Sequence, residues 1–234
     1  MVTLRALTEL RLHGCKVRVT APSLRELSAQ EVPLGAVAHA IDSSRVVSSA
    51  SVVARDAKPG EMTDFLTAVA KQHDSLAFLT VCLGLYGYEI KVLDRQAFPL
   101  KPAMQALALC CRLQTLRIPL ACTARGASVV HYICSSSPAL RDLHLAFVRV
   151  GGVTSDAQPD IAELKDGVAA DSPIAMPHLK TLNLLGLEGP MPDRLRCPAL
   201  TELYVCGAVP NPWPARFYPS QPSTSADNLL ASCK

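Results

Sequence analysis

The apolar residues of the chain follow a recurring pattern, Leu-x-x-Leu-x-apolar. Proline often stands two residues before the first leucine, and the full pattern Pro-x-Leu-x-x-Leu-x-(Leu/Ile/Val) begins at Pro138, Pro177 and Pro198. Independent draws from this composition would produce the full pattern about 0.1 times, so the repetition is not chance. The copies are Leu7/Leu10/Leu12, Leu24/Leu27/Ala29, Leu76/Leu79/Val81, Leu113/Leu116/Ile118, Leu140/Leu143/Leu145, Leu179/Leu182/Leu184 and Leu200/Leu203/Val205.

Within one copy the last two apolar residues flank a polar one, as Leu143 and Leu145 flank His144. This alternation predicts a short β-strand whose leucines face one way and whose central residue faces the other. The preceding proline lacks an N–H and disfavours a helical residue before it, so it starts an extended segment. One such unit cannot bury its leucine face alone. Stacked units can, and this predicts a solenoid with parallel strands along one side.

Between some of these strands the apolar residues have helical spacing. Phe65, Leu66 and Val69 share one helical face, and Pro102 suits the first turn of a helix. Two later segments have weaker helical patterns. The predicted helices cover 61–73, 102–111, 128–134 and 160–168.

The long interval between the copies at Leu24 and Leu76 leaves room for a degenerate repeat near Val47, Ala50 and Val52. The predicted fold class is therefore α/β: an irregular solenoid of about seven repeats. Short parallel strands are expected on one side, with helices and irregular loops on the other.

The repeated unit resembles the leucine-rich repeat, and the resemblance covers roughly residues 4–210. The family pattern is Leu-x-x-Leu-x-Leu-x-x-Asn/Cys-x-Leu, and the stretch from Leu7 to Val17 fits it throughout, with Cys15 at the Asn/Cys position. The resemblance implies that Cys15 is a small buried residue at a turn. The other copies depart from the pattern at this position and carry Val32, Gly84, Ala121, Val148, Leu187 and Ala208.

Irregular intervals, helical inserts and Pro-x-Leu starts are similar to the repeat regions of F-box proteins from fungi and other eukaryotes. This second resemblance implies a non-catalytic protein–protein interaction scaffold, the substrate-recognition segment of an F-box-type ubiquitin-ligase subunit. The F-box itself is a helical module, and its pattern is not visible in this sequence. The alternative function is a structural or assembly segment that oligomerises through open solenoid ends.

The repeats and the residues after them predict two regions. Residues 1–208 form the solenoid, and no polar cap precedes Leu4 and Leu7, so we expect either a longer gene product or an open end that a partner or self-association covers. Residues 209–234 are rich in proline and serine. They form either an exposed tail or a segment that folds Trp213 and Phe217 back over the last repeat.

Composition narrows the classes of function. The net charge of +3 is too small to indicate a nucleic acid or an anionic membrane as partner. The longest apolar run, 76–88, is shorter than the roughly 18 residues of a membrane span.

Arg5, Glu9 and Arg11 interrupt any signal peptide, so we expect a cytoplasmic or nuclear protein with reduced thiols. The nine cysteines form no Cys-x-x-Cys pair, which argues against zinc.

The central polar residue of each strand points away from the core, and these residues together would line one face. Arginine and tyrosine among them are favoured at protein interfaces. A merely solvated sheet face is the alternative. The outward residues are Arg11, Ser28, Thr80, Arg117, His144, Asn183 and Tyr204, with His13, Gln30, Cys82, Pro119 and Leu185 beside them. The predicted protein-binding residues are Arg11, His13, Arg117, His144, Asn183 and Tyr204.

The sequence contains no motif that supports catalysis, metal binding or phosphate binding. We therefore predict no catalytic, cofactor-binding or metal-binding residues. His131 and Cys134 could share a helix face, but no third group orients them. Adjacent Cys110 and Cys111 cannot face one metal. Gly-x-Ser-x-Gly is absent, and the two glycines at 151–152 lack the context of a phosphate loop. A hydrolase that uses His131 or His144 is the third hypothesis, without a convergent triad to support it.

Overall fold

The computed structural model describes residues 1–54, 57–83, 96–121, 126–148, 172–187 and 192–206. These residues form a mixed α/β fold with a large parallel sheet and four helices. The strands are β1 (Val2–Thr3), β2 (Glu9–His13), β3 (Val19–Thr20), β4 (Glu26–Gln30), β5 (Ser49–Ala54), β6 (Phe78–Leu83), β7 (Thr115–Ala121), β8 (Asp142–Val148), β9 (Ile174–Ala175), β10 (Thr181–Leu185), β11 (Leu195–Arg196) and β12 (Glu202–Cys206). The helices are α1 (Leu34–Asp42), α2 (Pro59–Lys71), α3 (Leu100–Leu109) and α4 (Gly126–Ser136).

Eight strands pair in parallel as one sheet in the order β12-β10-β8-β7-β6-β5-β4-β2. Each of the seven copies of the leucine pattern contributes one strand, and neighbouring strands in the sheet are successive copies along the chain. The eighth strand, β5, comes from the degenerate copy near Val47, which the long interval in the sequence had room for. The sheet therefore follows the order of the sequence repeats from one edge to the other.

Register aligns the apolar residues of all eight strands. Leu143 pairs with Leu116 on one side and with Leu182 on the other, and equivalent pairs continue across the sheet. Leu116, Leu143 and Leu182 are fully buried, and each contributes about 2 kcal/mol of hydrophobic stabilisation relative to an exposed leucine. One aligned row across the sheet is Leu10, Leu27, Ala50, Leu79, Leu116, Leu143, Leu182 and Leu203.

The helices complete the core on the leucine side of the sheet. Their buried residues and the inward residues of the strands belong to one hydrophobic cluster. The helices contact each other in chain order, α1 with α2, α2 with α3, and α3 with α4. Phe65 of α2 and Phe98 pack with ring centroids 5.7 Å apart. The core therefore continues without interruption between successive repeats.

Three helices confirm the sequence prediction, with small shifts of their ends. The segments predicted as 61–73, 102–111 and 128–134 correspond to α2, α3 and α4. Helix α1 was not predicted, although Leu34, Val37 and Ile41 are buried at helical spacing. The two-stranded parallel pairs β1–β3 and β9–β11 were not predicted either, since two residues are too few to show alternation. The candidate helix 160–168 and the tail 209–234 lie outside the described residues.

A backbone contact repeats at every step of the large sheet. The N–H groups of Arg25 and Glu26 both donate to the carbonyl of Thr8, at 2.8 and 3.1 Å. Because both N–H groups meet one oxygen, the start of each strand is held in a fixed position against its neighbour. The carbonyls that accept the same pair of bonds at later steps belong to Arg25, Ser48, Ala77, Gln114, Arg141 and Lys180.

A buried glutamine ties two repeats together on the helix side. Gln72 follows α2 and is 4% exposed. Its Oε1 accepts from the Val47 N–H at 2.9 Å, and its Nε2 donates to the carbonyls of Ser44 at 3.0 Å and Ile41 at 3.2 Å. The groups of Ser44 and Val47 lie between α1 and β5, where the chain has no regular secondary structure, and Ile41 lies in the last turn of α1, where its carbonyl also accepts from the Ser44 N–H at 3.1 Å. Gln72 therefore satisfies polar groups that a stacked apolar core would otherwise leave without partners.

We expect Gln72→Ala to lower the free energy of unfolding by about 2–4 kcal/mol, because it leaves the Val47 N–H and the Ser44 carbonyl unpaired in the core. Chemical denaturation followed by circular dichroism measures this change. Gln105→Ala, on the exposed side of α3, is the matched control and should change stability by less than about 0.5 kcal/mol. Equal effects of the two substitutions would contradict the role of Gln72.

Candidate protein-binding face

The register of the large sheet aligns the outward residues into one continuous row. Arg117 pairs with Thr80 and with His144, and His144 pairs in turn with Asn183. The row, called the central row below, spans about 34 Å, since seven strand spacings of about 4.8 Å separate its ends. Its members are Arg11, Ser28, Ser51, Thr80, Arg117, His144, Asn183 and Tyr204.

Five of the six predicted binding residues lie in the central row. The sixth, His13, is two positions further along β2 and pairs with Gln30. Ser51 is the member that sequence reasoning missed, because its copy has valine and alanine where the others have leucine. Its signal was alternation alone, with exposed Ser51 between buried Ala50 and Val52.

Two further rows flank the central row and differ in polarity. The row two residues earlier, called the N-side row, holds carboxylates at Glu9, Glu26, Asp142 and Glu202. The row two residues later, called the C-side row, is less polar. Its members are His13, Gln30, Val53, Cys82, Pro119, Ala146, Leu185 and Cys206. The face therefore changes from acidic to weakly polar across the width of the sheet.

The β2 to β5 part of the face contains a depression. Serines at 28, 49 and 51 are short, and together with Glu26 they line a cavity of about 410 Å³. Arg11 stands at its edge and is paired with Glu9, with both Nε and Nη2 at 2.6 Å from Oε1. Both side chains of this pair are well exposed, so the pair adds little stability. Opening this pair therefore costs little free energy.

The β7 to β12 part of the face contains two buried polar atoms, His144 Nε2 and Asn183 Oδ1, that make no hydrogen bond within the described residues. Burial and the nearby Arg117 lower the pKa of His144, and the carboxylates of Asp142 and Glu202 oppose this shift to a smaller extent. Burial and Arg117 thus both favour the neutral form of His144.

Among the described residues, burial makes the thiols of Cys110 and Cys134 less acidic and makes His131 less basic. Cys134 is fully buried, and this burial raises its pKa, so its thiol is not an activated nucleophile. His131 Nε2 accepts from the backbone N–H of Arg194 at 3.4 Å, and burial lowers its pKa. Burial raises the pKa of Cys110 to about 12, while Cys111 is exposed. Cys15, expected to be buried at a turn, is half-buried.

Within the described ranges, no three His, Cys, Asp or Glu side chains come together as metal ligands. No helix of that part of the chain has the length and apolar character to cross a bilayer. The glycines at 151–152 lie outside the described residues.

Comparisons of this chain with protein-family models, with curated proteins and with solved structures found no match.

We expect Arg117→Gln to raise the pKa of His144 toward its usual value, because the substitution removes the nearest positive charge. Histidine side-chain NMR during a pH titration measures this pKa. Arg11→Gln is the matched control: it lies in the same row about 24 Å away, well beyond the screening length of about 8 Å at physiological ionic strength, and should leave the pKa unchanged. A pKa of His144 that stays constant or falls in Arg117→Gln would refute this electrostatic assignment.

Proposed function

We propose that this chain is a leucine-rich-repeat-like solenoid whose outward sheet face binds a protein partner. The observation that carries the proposal is the central row, in which eight equivalent positions from eight strands stand side by side. Regular stacking of one strand per sequence repeat supports the solenoid, because each strand buries its leucines against the next. The predicted binding residues Arg11, Arg117, His144, Asn183 and Tyr204 lie in this row.

The dimensions of the face suit a polypeptide. A row about 34 Å long with a flanking row on each side has the extent of a standard protein interface, which buries about 800 Å² per partner. Arginine and tyrosine at Arg117 and Tyr204 are residue types enriched at the centre of such interfaces. The shallow cavity near Ser28 gives the otherwise flat face a place for one protruding side chain.

The resemblance to the repeat regions of F-box proteins extends the proposal to a biological role. On this proposal the face recruits a protein substrate to a ubiquitin ligase, and the chain itself performs no chemistry. The proposal keeps the cytoplasmic or nuclear location that the sequence predicts. The partner is thus a protein, and neither nucleic acid nor membrane is required.

A second candidate function is assembly through the ends of the sheet. Four exposed apolar residues lie at or near β1 to β3, beside the edge strand β2: Met1, Val2, Leu4 and Val17. Exposed apolar residues next to a strand edge favour contact with another chain. In this second candidate function, copies of the chain stack end to end. The aligned outward face then results only from the stacking of the repeats and binds no partner.

The face proposal predicts that a partner is cross-linked from the central row and not from the helix side. A photoreactive amino acid is placed at Ser51 or Thr80 in the central row, and at Thr67 on the exposed side of α2 as the matched control. In the cells that express the chain, we expect the two central-row positions to give cross-linked protein adducts. An excess of chain without the photoreactive residue should abolish these adducts by competition. Equal labelling from all three positions would overturn the face assignment.

The assembly candidate predicts a mass that rises with concentration in multi-angle light scattering. Val2→Asp together with Val17→Asp should then return the chain to its monomer mass of 25.0 kDa. The exposed Val46, outside the β1 to β3 region, provides the control substitution Val46→Asp, which should leave the assembly intact. A constant monomer mass at high concentration would exclude this candidate.

A further inference from the structure

The two coils at each end of the fold are built alike and differ from the coils between them. A coil means here one strand of the large sheet together with the element that precedes it in the helix layer. The short strands β1, β3, β9 and β11 precede β2, β4, β10 and β12, whereas α1 to α4 precede the four central strands β5 to β8. The short strands continue the helix layer, since α1 contacts β3 and α4 contacts β9. Each short strand begins seven residues before its long strand: Val2 and Glu9, Val19 and Glu26, Ile174 and Thr181, Leu195 and Glu202.

Neighbouring coils at each end are related by one sequence offset on both sides of the core. In the first two coils, β1 pairs with β3 and β2 pairs with β4, both at an offset of 17 residues. In the last two coils, β9 pairs with β11 and β10 pairs with β12, both at an offset of 21 residues. These coils therefore stack without any shift between their two sides.

The first coil exposes an apolar position that the equivalent coils bury. Val2 is 45% exposed, whereas its counterparts Val19, Ile174 and Leu195 are at most 8% exposed. On the other side of the same coil, Leu12 of β2 is only half-buried. One more coil stacked against β1 and β2 would cover both side chains.

The last coil leaves apolar side chains half-exposed in the same way. Leu203 and Val205 of β12 are half-buried, whereas their partners on β10, Leu182 and Leu184, are fully buried. Within the described residues, no strand pairs with the outer edge of β12 or with that of β2. A strand edge with free N–H and C=O groups is a template for pairing with another strand. Each end of the large sheet is thus a surface that one further coil would complete.

We propose that copies of this chain associate head to tail, so that β2 of one copy pairs in parallel with β12 of the copy before it and β1 pairs with β11. The proposal rests on the assembly candidate described above, and it specifies which two surfaces meet and in which register. Leu10 lies opposite Leu203 and Val2 lies opposite Leu195, an offset of 193 residues on both sides of the core. A second copy fits because its first coil is of the strand-backed type that the last coil already pairs with inside one chain.

The outer edge of β2 has its hydrogen-bonding groups in the phase that this register requires. The even-numbered residues of β2 face β4: the Thr8 carbonyl accepts from the Glu26 N–H at 3.1 Å, and the Gly14 N–H donates to the Gln30 carbonyl at 2.9 Å. Successive residues of a strand direct their backbone groups to opposite edges. The odd-numbered residues of β2 therefore direct theirs outward, toward the preceding copy.

The outer edge of β12 is in the matching phase. Its even-numbered residues face β10, since the Glu202 N–H donates to the Lys180 carbonyl at 3.0 Å. The Thr201 carbonyl therefore faces outward. In the proposed register it accepts from the N–H groups of Thr8 and Glu9 of the next copy, which repeats the shared-carbonyl contact found at each step of the large sheet. A shift of one residue would bring together groups that face away from each other.

The proposed register brings one pair of like charges together. Glu202 comes to lie beside Glu9, whose carboxylate is already ion-paired with Arg11. The sheet has the same arrangement inside one copy, where Glu9 is in register with Glu26. Tyr204 comes to lie beside Arg11, and a guanidinium packs favourably against an aromatic ring. The central row then continues from Tyr204 of one copy to Arg11 of the next.

The direction of the contact provides the first test, because two different surfaces meet and each added copy leaves a free end. Val2→Asp with Val17→Asp blocks the β2 end, and Val205→Asp blocks the β12 end. In multi-angle light scattering, each variant alone should stay at the monomer mass of 25.0 kDa, and an equimolar mixture should form a heterodimer of twice that mass. Val46→Asp, at an exposed valine away from both ends, is the control and should assemble like the native chain.

A disulfide between copies tests the register. In the proposed register, His13 lies opposite Cys206 of the preceding copy at about 5 Å, within the Cα separation of a disulfide. With glutathione disulfide as the oxidant, at a concentration where the native chain associates, we expect His13→Cys to form covalent multimers. Peptide mapping should find position 13 linked to Cys206. Within one copy these two residues are about 34 Å apart, so the link joins two copies.

Gln30→Cys is the matched control for the disulfide. It lies in the same row one strand further from the contact, at about 10 Å from Cys206 of the preceding copy, which is too far for a disulfide. We expect about tenfold less of the link to Cys206 with Gln30→Cys than with His13→Cys.

The failure of the register and the failure of assembly give different results. A chain that keeps its monomer mass at high concentration contradicts both. If the mass rises but Val205→Asp assembles like the native chain, or if His13→Cys gives no more link to Cys206 than Gln30→Cys, the head-to-tail register is wrong and the assembly candidate stands. Circular dichroism verifies that each variant is folded, and the disulfide decides the question if an aspartate variant is not.

Discussion

Parallel pairing of leucine-bearing strands in one register is the constraint on which the rest of this protein depends. A shift of one residue between neighbours would turn every leucine of a strand to the solvent side, because side chains alternate with a period of two. Two features hold the register: the aligned leucine rows, and the pairs of N–H groups that share one carbonyl at the start of each strand. Burial and backbone hydrogen bonding thus select the same alignment, and neither requires a particular residue on the outward side.

The outward face is a consequence of the same register. When Leu143 and Leu145 are buried against their neighbours, His144 must stand between Arg117 and Asn183. The sheet therefore presents side chains from distant parts of the sequence at fixed spacings of about 4.8 Å. Variation at these positions changes the surface without disturbing the core, which is why a repeated architecture suits recognition. Within the described residues, His144 Nε2 and Asn183 Oδ1 at two adjacent positions of the row are buried without a hydrogen bond, which lowers stability.

On the helix side of the sheet, buried backbone groups between helices and strands need hydrogen-bond partners. Between helix and strand the chain crosses the core with backbone groups that no ladder satisfies, and polar side chains from the next repeat provide their partners. Gln72 does so for the Val47 N–H and the Ser44 carbonyl, and Ser137 donates to the carbonyl of Cys110 at 3.2 Å. Gly186 is another requirement of packing: its φ is +67°, and a Cβ there would lie 2.3 Å from the Phe147 carbonyl oxygen. These residues hold successive repeats at the close separation that the leucine core requires.

The sequence by itself determined seven of the eight strands of the large sheet, three of the four described helices and most of the central row, because alternation and helical spacing are local and leucine marks the buried side. It left α1 unassigned, and it offered β5 only as a degenerate copy without leucine. Tertiary structure alone decided the register, the place of Ser51 in the row and the contacts of Gln72. It also decided that His144 and Asn183 would each hold a buried atom without a partner. These features depend on residues far apart in the chain, and a local pattern carries no information about which distant group a side chain will meet.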